Sequence, residues 1–378
     1  MKKLLFVLAL LMTAGLLFAG GAQEPADEPD YRIGIVFDVG GKGDLSFNDS
    51  AYEGLVRLAE DYNGFIQDDP DDVDHGDDIL LKYLEPREGG QDREMLLRIM
   101  AEDGFDLVIG VGFAFTDSIP EVASDFPETH FGLIDGFVPD LDEDSNLTCL
   151  AFDEHEGSFL VGAVAGLVAN DDPIGYIGGM DIPLIHKFHA GFFAGAMWTN
   201  PVLRDPDMLL GQYIASDPSG FGDPSRAATI ATNMYNQGAE IIYHAAGASG
   251  TGLFRVARDM DRWAIGVDSD QGLRYAESDS PEEREIAEHI LTSMIKRVDQ
   301  AVYLTAQELI ETGSVTGGYR SFGIEDAGVG VAINEYNEEV MEPFIPVIDE
   351  LSEMIMSDEI EVPEHDDQLV DWALNYFE

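Results

Sequence analysis

Phe47 and Phe221 are badly placed for apolar rings. Phe47 stands in a polar loop at a helix start, and Phe221 in the Gly- and Pro-rich loop SDPSGFGDP at 216–224. Two rings facing each other across a cleft would sandwich a flat heterocycle, each stacking contact worth about 1–3 kcal/mol by analogy with bases on aromatics. The alternative is that each ring tucks into its own lobe. Asn48 offers an amide acceptor and donor, the pairing Asn uses on an adenine edge. Asp117 can accept from ring or exocyclic N–H groups, or cap the helix that follows it. Asp38 ends the first strand-like run and Asp268 ends another. A carboxylate takes two hydroxyl donors well, so a ribose diol suits Asp268. Gly247 admits close backbone approach. Lys296 stands in a chain whose only other lysines are Lys2, Lys3, Lys42, Lys82 and Lys187. It is either a solvated helix cation or a donor to a ribose oxygen or to Asp268.

No catalytic set assembles beside these residues. GASGTG at 247–252 lacks the lysine of a phosphate loop, and GYIGGMD is not a full dinucleotide fingerprint. His186 and His189 come without an HExxH pattern, and GSFL lacks the second glycine of a nucleophile elbow. The acidic run QDDPDDVDHGDD at 67–78 reads as a solvated loop without EF-hand spacing. No metal or cofactor is therefore expected. The enzymatic alternative is a nucleoside hydrolase using carboxylates around Asp38. The single cysteine, Cys149, permits no intrachain disulfide and reads as a buried core thiol.

The elements that must position these side chains alternate. Strand-like runs at 31–37, 80–84, 107–111, 130–134 and 147–152 are interleaved with helix-like runs at 46–61, 92–103 and 117–125. Ser46 and Asp49 look like a capping box for the first of these helices. A second series follows, with helices at 157–168, 183–197, 224–237 and 252–259 and strands at 174–177, 208–213, 241–244 and 263–267. Residues 283–312 carry Ile286, Ile290, Met294, Val298, Val302 and Leu309 along one stripe, which predicts a single long amphipathic helix bearing Lys296 and packing across the first lobe. Tyr319–Ile333 and a helix at 340–357 are expected to close the second lobe. Alternating strands and helices predict parallel sheets covered on both faces, and two series predict two lobes. The expected division is a signal peptide at 1–22, a linker at 23–30, a first lobe of 31–148 plus 271–316, and a second of 149–270 plus 317–378. In open α/β sheets ligands sit beyond the carboxyl ends of strands, where DVGG, GVGF, GGMD, HAAG and GVDSD fall.

Asp plus Glu number 74 against 20 Lys plus Arg in 378 residues, a formal charge of −54. Such a surface repels nucleic acid and anionic membranes. It suits concentrated salt, where screening relieves self-repulsion. Lys2 and Lys3, the apolar run 4–18 and small residues at 19–22 form an export signal, with cleavage after Ala22 or Ala19. With no cysteine at that point, a cysteine-linked lipid anchor is not expected, and the protein is expected outside the cytoplasm.

The segments VFDVGGKGDLSFNDSAYEGL (36–55), GVGF (110–113), DEHEGSFLVGAVAG (153–166), IGYIGGMDIP (174–183), HAAGASGTG (244–252), IGVDSDQ (265–271) and LTSMIKRVDQAVY (291–303) run in order through nearly the whole chain. Together they resemble the basic membrane protein family of ABC transporter substrate-binding proteins, which includes purine nucleoside receptors. The resemblance implies a type I periplasmic-binding-protein fold with two doubly wound lobes, a hinge and an interlobe ligand cleft. It implies that positions Asp38, Phe47, Asn48, Asp117, Phe221, Gly247, Asp268 and Lys296 line that cleft. It also implies capture of guanosine, inosine or adenosine by a monomer that delivers it to a membrane permease. A sugar or free base, or a role as a ligand sensor, are the alternatives within the binding class.

Overall fold

Short runs such as Leu107–Val111 (LVIGV), buried at every position, need cover on both faces of their sheet. The computed structural model describes residues 28–87 and 90–377 and provides that cover twice. The expected signal at 1–22 and most of the 23–30 linker lie outside the described residues.

In chain order the first series is β1 (Tyr31–Val36), α1 (Phe47–Asp61), β2 (Gly64–Ile66), β3 (Ile79–Leu84), α2 (Arg93–Glu102), β4 (Leu107–Val111), α3 (Ile119–Asp125), β5 (His130–Ile134) and β6 (Leu147–Phe152). The second is α4 (Glu154–Ala169), β7 (Ile174–Met180), α5 (Pro183–Thr199), β8 (Leu209–Ala215), α6 (Pro224–Asn236), β9 (Ile241–Ala245) and α7 (Gly250–Met260). It continues with β10 (Trp263–Asp268), α8 (Gln271–Ala276), α9 (Pro281–Ala287) and β11 (Ile290–Lys296). The chain ends through α10 (Val298–Thr312), β12 (Gly318–Phe322), β13 (Val329–Val331), α11 (Glu338–Met341), α12 (Ile345–Met356) and α13 (Leu369–Phe377).

Among the described residues, one sheet has the order β12-β6-β5-β4-β1-β3-β2 and the other β13-β11-β10-β9-β7-β8. Every pairing is parallel except β11 with β13. In each sheet the order reverses beside the first strand, β1 or β7, and the loops that leave those points face a common cleft. Such switch points are where open α/β sheets hold ligands.

The sheets divide the chain differently from the expected boundaries. All of β6 belongs to the first sheet, β11 to the second, and β12 to the first again. The chain therefore crosses between lobes after Phe152, after Lys296 and after Phe322. The expected single helix at 283–312 is instead α9, then β11, then α10. Its apolar spacing of four residues fits a helix stripe, but in a strand positions four apart also share a face. Ile290, Met294 and Lys296 are buried together on β11. The α10 half does pack on the first lobe, where a Cβ on Gly54 of α1 would lie 2.9 Å from the Val302 Cβ.

The packing of helices α4 and α5 explains Gly162 and Gly166 of DEHEGSFLVGAVAG. The two helices pack backbone to backbone: a Cβ on Gly162 would fall 2.0 Å from the Phe192 carbonyl oxygen, and one on Gly195 1.9 Å from that of Phe159. This close seam brings the first turns of α5, with Leu184, Ile185 and Phe188, to the cleft.

Candidate functional site: the interlobe cleft

The loop after β1 is built by carboxylates. Asp44 accepts from the backbone amides of Ser46 (2.9 Å), Asn48 (3.0 Å) and Asp49 (3.2 Å), and so takes the role expected of Ser46 at the start of α1. Asp49 accepts from Gly43 and Leu45 instead of closing a capping box. Asn48 completes the loop. Its Oδ1 accepts from the Asp38 amide at 3.0 Å and its Nδ2 donates to Asp44 at 2.9 Å.

These residues share one cavity with loops of the second lobe. Between the lobes as they stand it encloses about 70 Å³ and opens to solvent. Of the sequence candidates, Asp38, Phe47, Asn48, Phe221, Gly247, Asp268 and Lys296 line it. Asp117 does not. After Gly112 the chain makes a tight turn at Phe113–Phe115 and leaves the cleft, so Asp117 is exposed and makes no capping bond to α3. Residues the sequence reading passed over also line the cavity: Asp44, Phe113, Asp135, Leu184, Ile185 and Phe188.

The walls are aromatic. Phe113 of the first lobe meets Phe221 of the second, ring centroids 6.3 Å apart and tilted by 59°. Phe47, Phe152 and Phe188 surround the Lys296 ammonium at 5.1, 5.0 and 5.6 Å. Gly247 adopts a φ of +53°, where only glycine is free of strain, and lies against the Phe221 backbone.

The floor is ionic. Lys296, 1% exposed at the end of β11, reaches Asp135 at 2.6 Å and Glu154 at 3.0 Å, and Lys187 reaches the other oxygen of Glu154 at 3.1 Å. Burial alone would lower the Lys296 pKa, but Asp135, Glu154 and Asp268 outweigh it and hold the ammonium above its ordinary range. Glu154 is held below its ordinary value, because Lys296 and Lys187 overcome its burial. Burial pushes Asp268 up to about 7 against the pull of Lys296 and Ser46, and Asp44 up to about 6. Asp135 is also raised by burial. Asp38 is raised by burial as well, against the opposing Arg93 guanidinium that pairs with its Oδ1. Asp135 and Asp268 end β5 and β10 in the same left-handed conformation, φ 64° and 65°. Strained non-glycine backbone of this kind persists only where its surroundings impose it, and clusters at ligand sites.

Three carboxylate oxygens of the cavity wall remain open. Asp135 Oδ1 is buried without a hydrogen-bond partner, and Asp38 Oδ2 and Asp268 Oδ1 have none among the described residues. The arrangement can therefore receive hydrogen-bond donors between aromatic walls. It offers no metal cluster among the described residues.

Two parallel α/β lobes, crossed three times by the chain and closed over one aromatic and carboxylate-lined cavity, define a solute-binding protein of the type I periplasmic class. Residues 32–366 match the family described as Bmp, ABC transporter substrate-binding protein PnrA-like, and the chain belongs to that family. It is similar to an ABC transporter nucleoside-binding protein, BmpA, of Lactococcus lactis subsp. cremoris, with 27% identity over 90% of this chain and 93% of that one. It is also 31% identical to an uncharacterized lipoprotein of Pyrococcus abyssi, over 87% of this chain and 77% of the relative. That relative's name runs against the expectation of no lipid anchor. A solved ABC transporter solute-binding protein of Aeropyrum pernix K1 superposes with a TM-score of 0.73 at 26% identity, covering 90% and 96% of the two chains. The protein is thus an extracytoplasmic substrate-binding component of an ABC transporter and not an enzyme. Among the described residues no helix is long and apolar enough to cross a membrane.

Proposed function

We propose that this protein captures purine nucleosides in the interlobe cleft, as a monomer, and hands them to the membrane permease of an ABC importer. The observation that carries the reading is the buried, unpartnered Oδ1 of Asp135 beside Asp268, in a cavity walled by Phe47, Phe113 and Phe221. Buried acceptors without donors are costly, so the ligand must bring donors. A nucleoside brings both parts: hydroxyls for Asp135 and Asp268, and a flat ring for the aromatic walls.

Asn48 plays a different part from the one its residue type invites. Its amide is spent on the loop, and Asp117 lies elsewhere, so recognition of the base edge falls to Asp38. The free Oδ2 of that carboxylate accepts ring N–H groups, which guanine and hypoxanthine carry and adenine lacks. The order guanosine and inosine above adenosine follows. A neutral ligand also meets no long-range repulsion from a chain of formal charge −54. Lys296 keeps the floor neutralised and Gly247 lets Phe221 approach the ring.

Calorimetric titration in high salt, after unfolding and refolding to strip carried ligand, tests this with guanosine, inosine, adenosine, cytidine, ribose and adenine. Tight binding of the purine nucleosides, with ribose inert, is the expected result. Binding of sugars and of no nucleoside would overturn the ligand while leaving the receptor class in place.

A further inference from the structure

We propose that Leu45 and Ser46 form a latch across the cleft that the ligand does not touch, with Gln271 as the positioning residue that holds it. The latch itself is independent of the nucleoside reading; only the choice of ligand probe rests on it. None of Leu45, Ser46, Ser269 and Gln271 lines the cavity.

Leu45 belongs to the first-lobe loop, yet its side chain packs against the hydrophobic cluster of the second lobe that includes Leu253, Phe254, Tyr275 and Ile290. Its carbonyl accepts twice from the second lobe, from Ser269 Oγ at 3.0 Å and from Gln271 Nε2 at 2.9 Å. Ser46 Oγ donates across the cleft to Asp268 Oδ2 at 2.6 Å and approaches the Val267 carbonyl at 3.4 Å. Leu45 holds a φ of 55°, a conformation costly for a leucine that survives only where its neighbours impose it.

Gln271 is fully buried, and both its amide oxygen and its amide nitrogen form hydrogen bonds. Its Oε1 accepts from the Val267 amide at 2.9 Å, which can only donate, so the amide orientation is determined and Nε2 faces Leu45. His244 Nε2, 3.1 Å from the same Oε1, must then carry a proton, and burial, lowering its pKa to about 4, keeps the ring neutral. One side chain thereby ties β9, the end of β10 and the first-lobe loop together. Ser46 in turn fixes which oxygen of Asp268 remains for the ligand.

A latch of this kind sets the fraction of molecules whose lobes are closed, and apparent affinity scales with that fraction. Two substitutions isolate it. Ser46→Ala removes a hydroxyl whose hydrogen bonds all cross the cleft. Gln271→Glu keeps the acceptor for Val267 and His244 but replaces the donor to Leu45 with a carboxylate oxygen. Each is expected to weaken guanosine binding about tenfold, the equivalent of one net hydrogen bond, through faster dissociation. Thermal unfolding of ligand-free Ser46→Ala is expected to fall only slightly below wild type, because the latch stabilises just the fraction of ligand-free molecules whose lobes are closed. The deficit of Gln271→Glu relative to wild type is expected to shrink as pH falls and the introduced carboxyl regains an O–H donor. Unchanged affinity in both variants overturns the latch. A deficit in Gln271→Glu that ignores pH reduces Gln271 to a structural role and overturns its positioning part. If wild type binds no nucleoside, that reading of the cleft fails alone. The latch is then decided by small-angle scattering of ligand-free protein: a larger radius of gyration in Ser46→Ala supports it, and an equal one refutes it.

Discussion

Replacing Lys296 with Met removes the only cation among the described residues that pairs with Asp135, and leaves Glu154 with Lys187. All three partners of the lost ammonium are buried, Asp135, Glu154 and Asp268 alike. Removing one member of a buried pair costs about 3–5 kcal/mol, mostly for the charge left unpaired. With a lobe of ordinary size losing ~2–4 °C per kcal/mol, the melting temperature should fall by about 6–20 °C. The pH dependence has a definite sign. Lys296 is raised in the folded state, so its contribution is complete below its unfolded value and fades only when pH rises through the folded one. Without it, Asp135 and Asp268 rise further, and protonating them relieves the strain. The gap between wild type and Lys296→Met should therefore be widest near pH 8 and narrow towards pH 5. Salt should leave it intact, because buried pairs are little screened. Differential scanning calorimetry across pH and salt reads all of this, and Lys296→Met combined with Asp135→Asn should recover part of the loss. A loss below about 1 kcal/mol, or a gap that closes with salt, would place Lys296 among solvated surface charges, whose pairs are worth that little, and refute the reasoning.

Three further outcomes follow from the cleft. Phe221→Ala should weaken guanosine by about 1–3 kcal/mol, read by calorimetry as a 5- to 150-fold rise in Kd. Asp117→Asn should leave that Kd unchanged, since the side chain is exposed outside the cavity. Asp268 sits at about 7 when free, and hydroxyl donors favour its charged form, so binding should release protons near pH 7. Affinity should then rise with pH through that range and level off above it, and titrations in buffers of different ionisation enthalpy would detect the protons directly. No buffer dependence would mean that Asp268 is already ionised in the free protein.

The strands were legible because β-branched runs bounded by glycine and aspartate have few other uses. Lys296 shows where that reading fails. Ile286, Ile290, Met294 and Val298 are spaced by four, and four is both about one helical turn and two strand repeats. Burial on both faces of β11 removed the polar alternation that would have separated the two. Lys296 lines the cavity from a strand end and not from a helix. Asp135 shows a different failure: it stands just after β5, as Asp38 stands just after β1 and Asp268 at the end of β10, and the same rule applied evenly would have found it. Arg93 could not have been found, because its partnership with Asp38 spans 55 residues of sequence and exists only in the fold.

The charge of the chain and the charge of the cleft follow different rules. The acidic surface acts at long range and is quenched by salt, so it cannot choose a ligand. The buried carboxylates are beyond that screening, and each is held by a neighbour: Asp38 by Arg93, Asp135 and Glu154 by Lys296, Asp44 by backbone amides. The oxygens left over are the ones no protein group reaches, and in the closed cleft a donor that enters with the ligand can satisfy them in place of water. Closure on such a donor gains what the open cleft obtains from water, together with the ring contacts of both lobes, and that difference is what drives the two lobes shut.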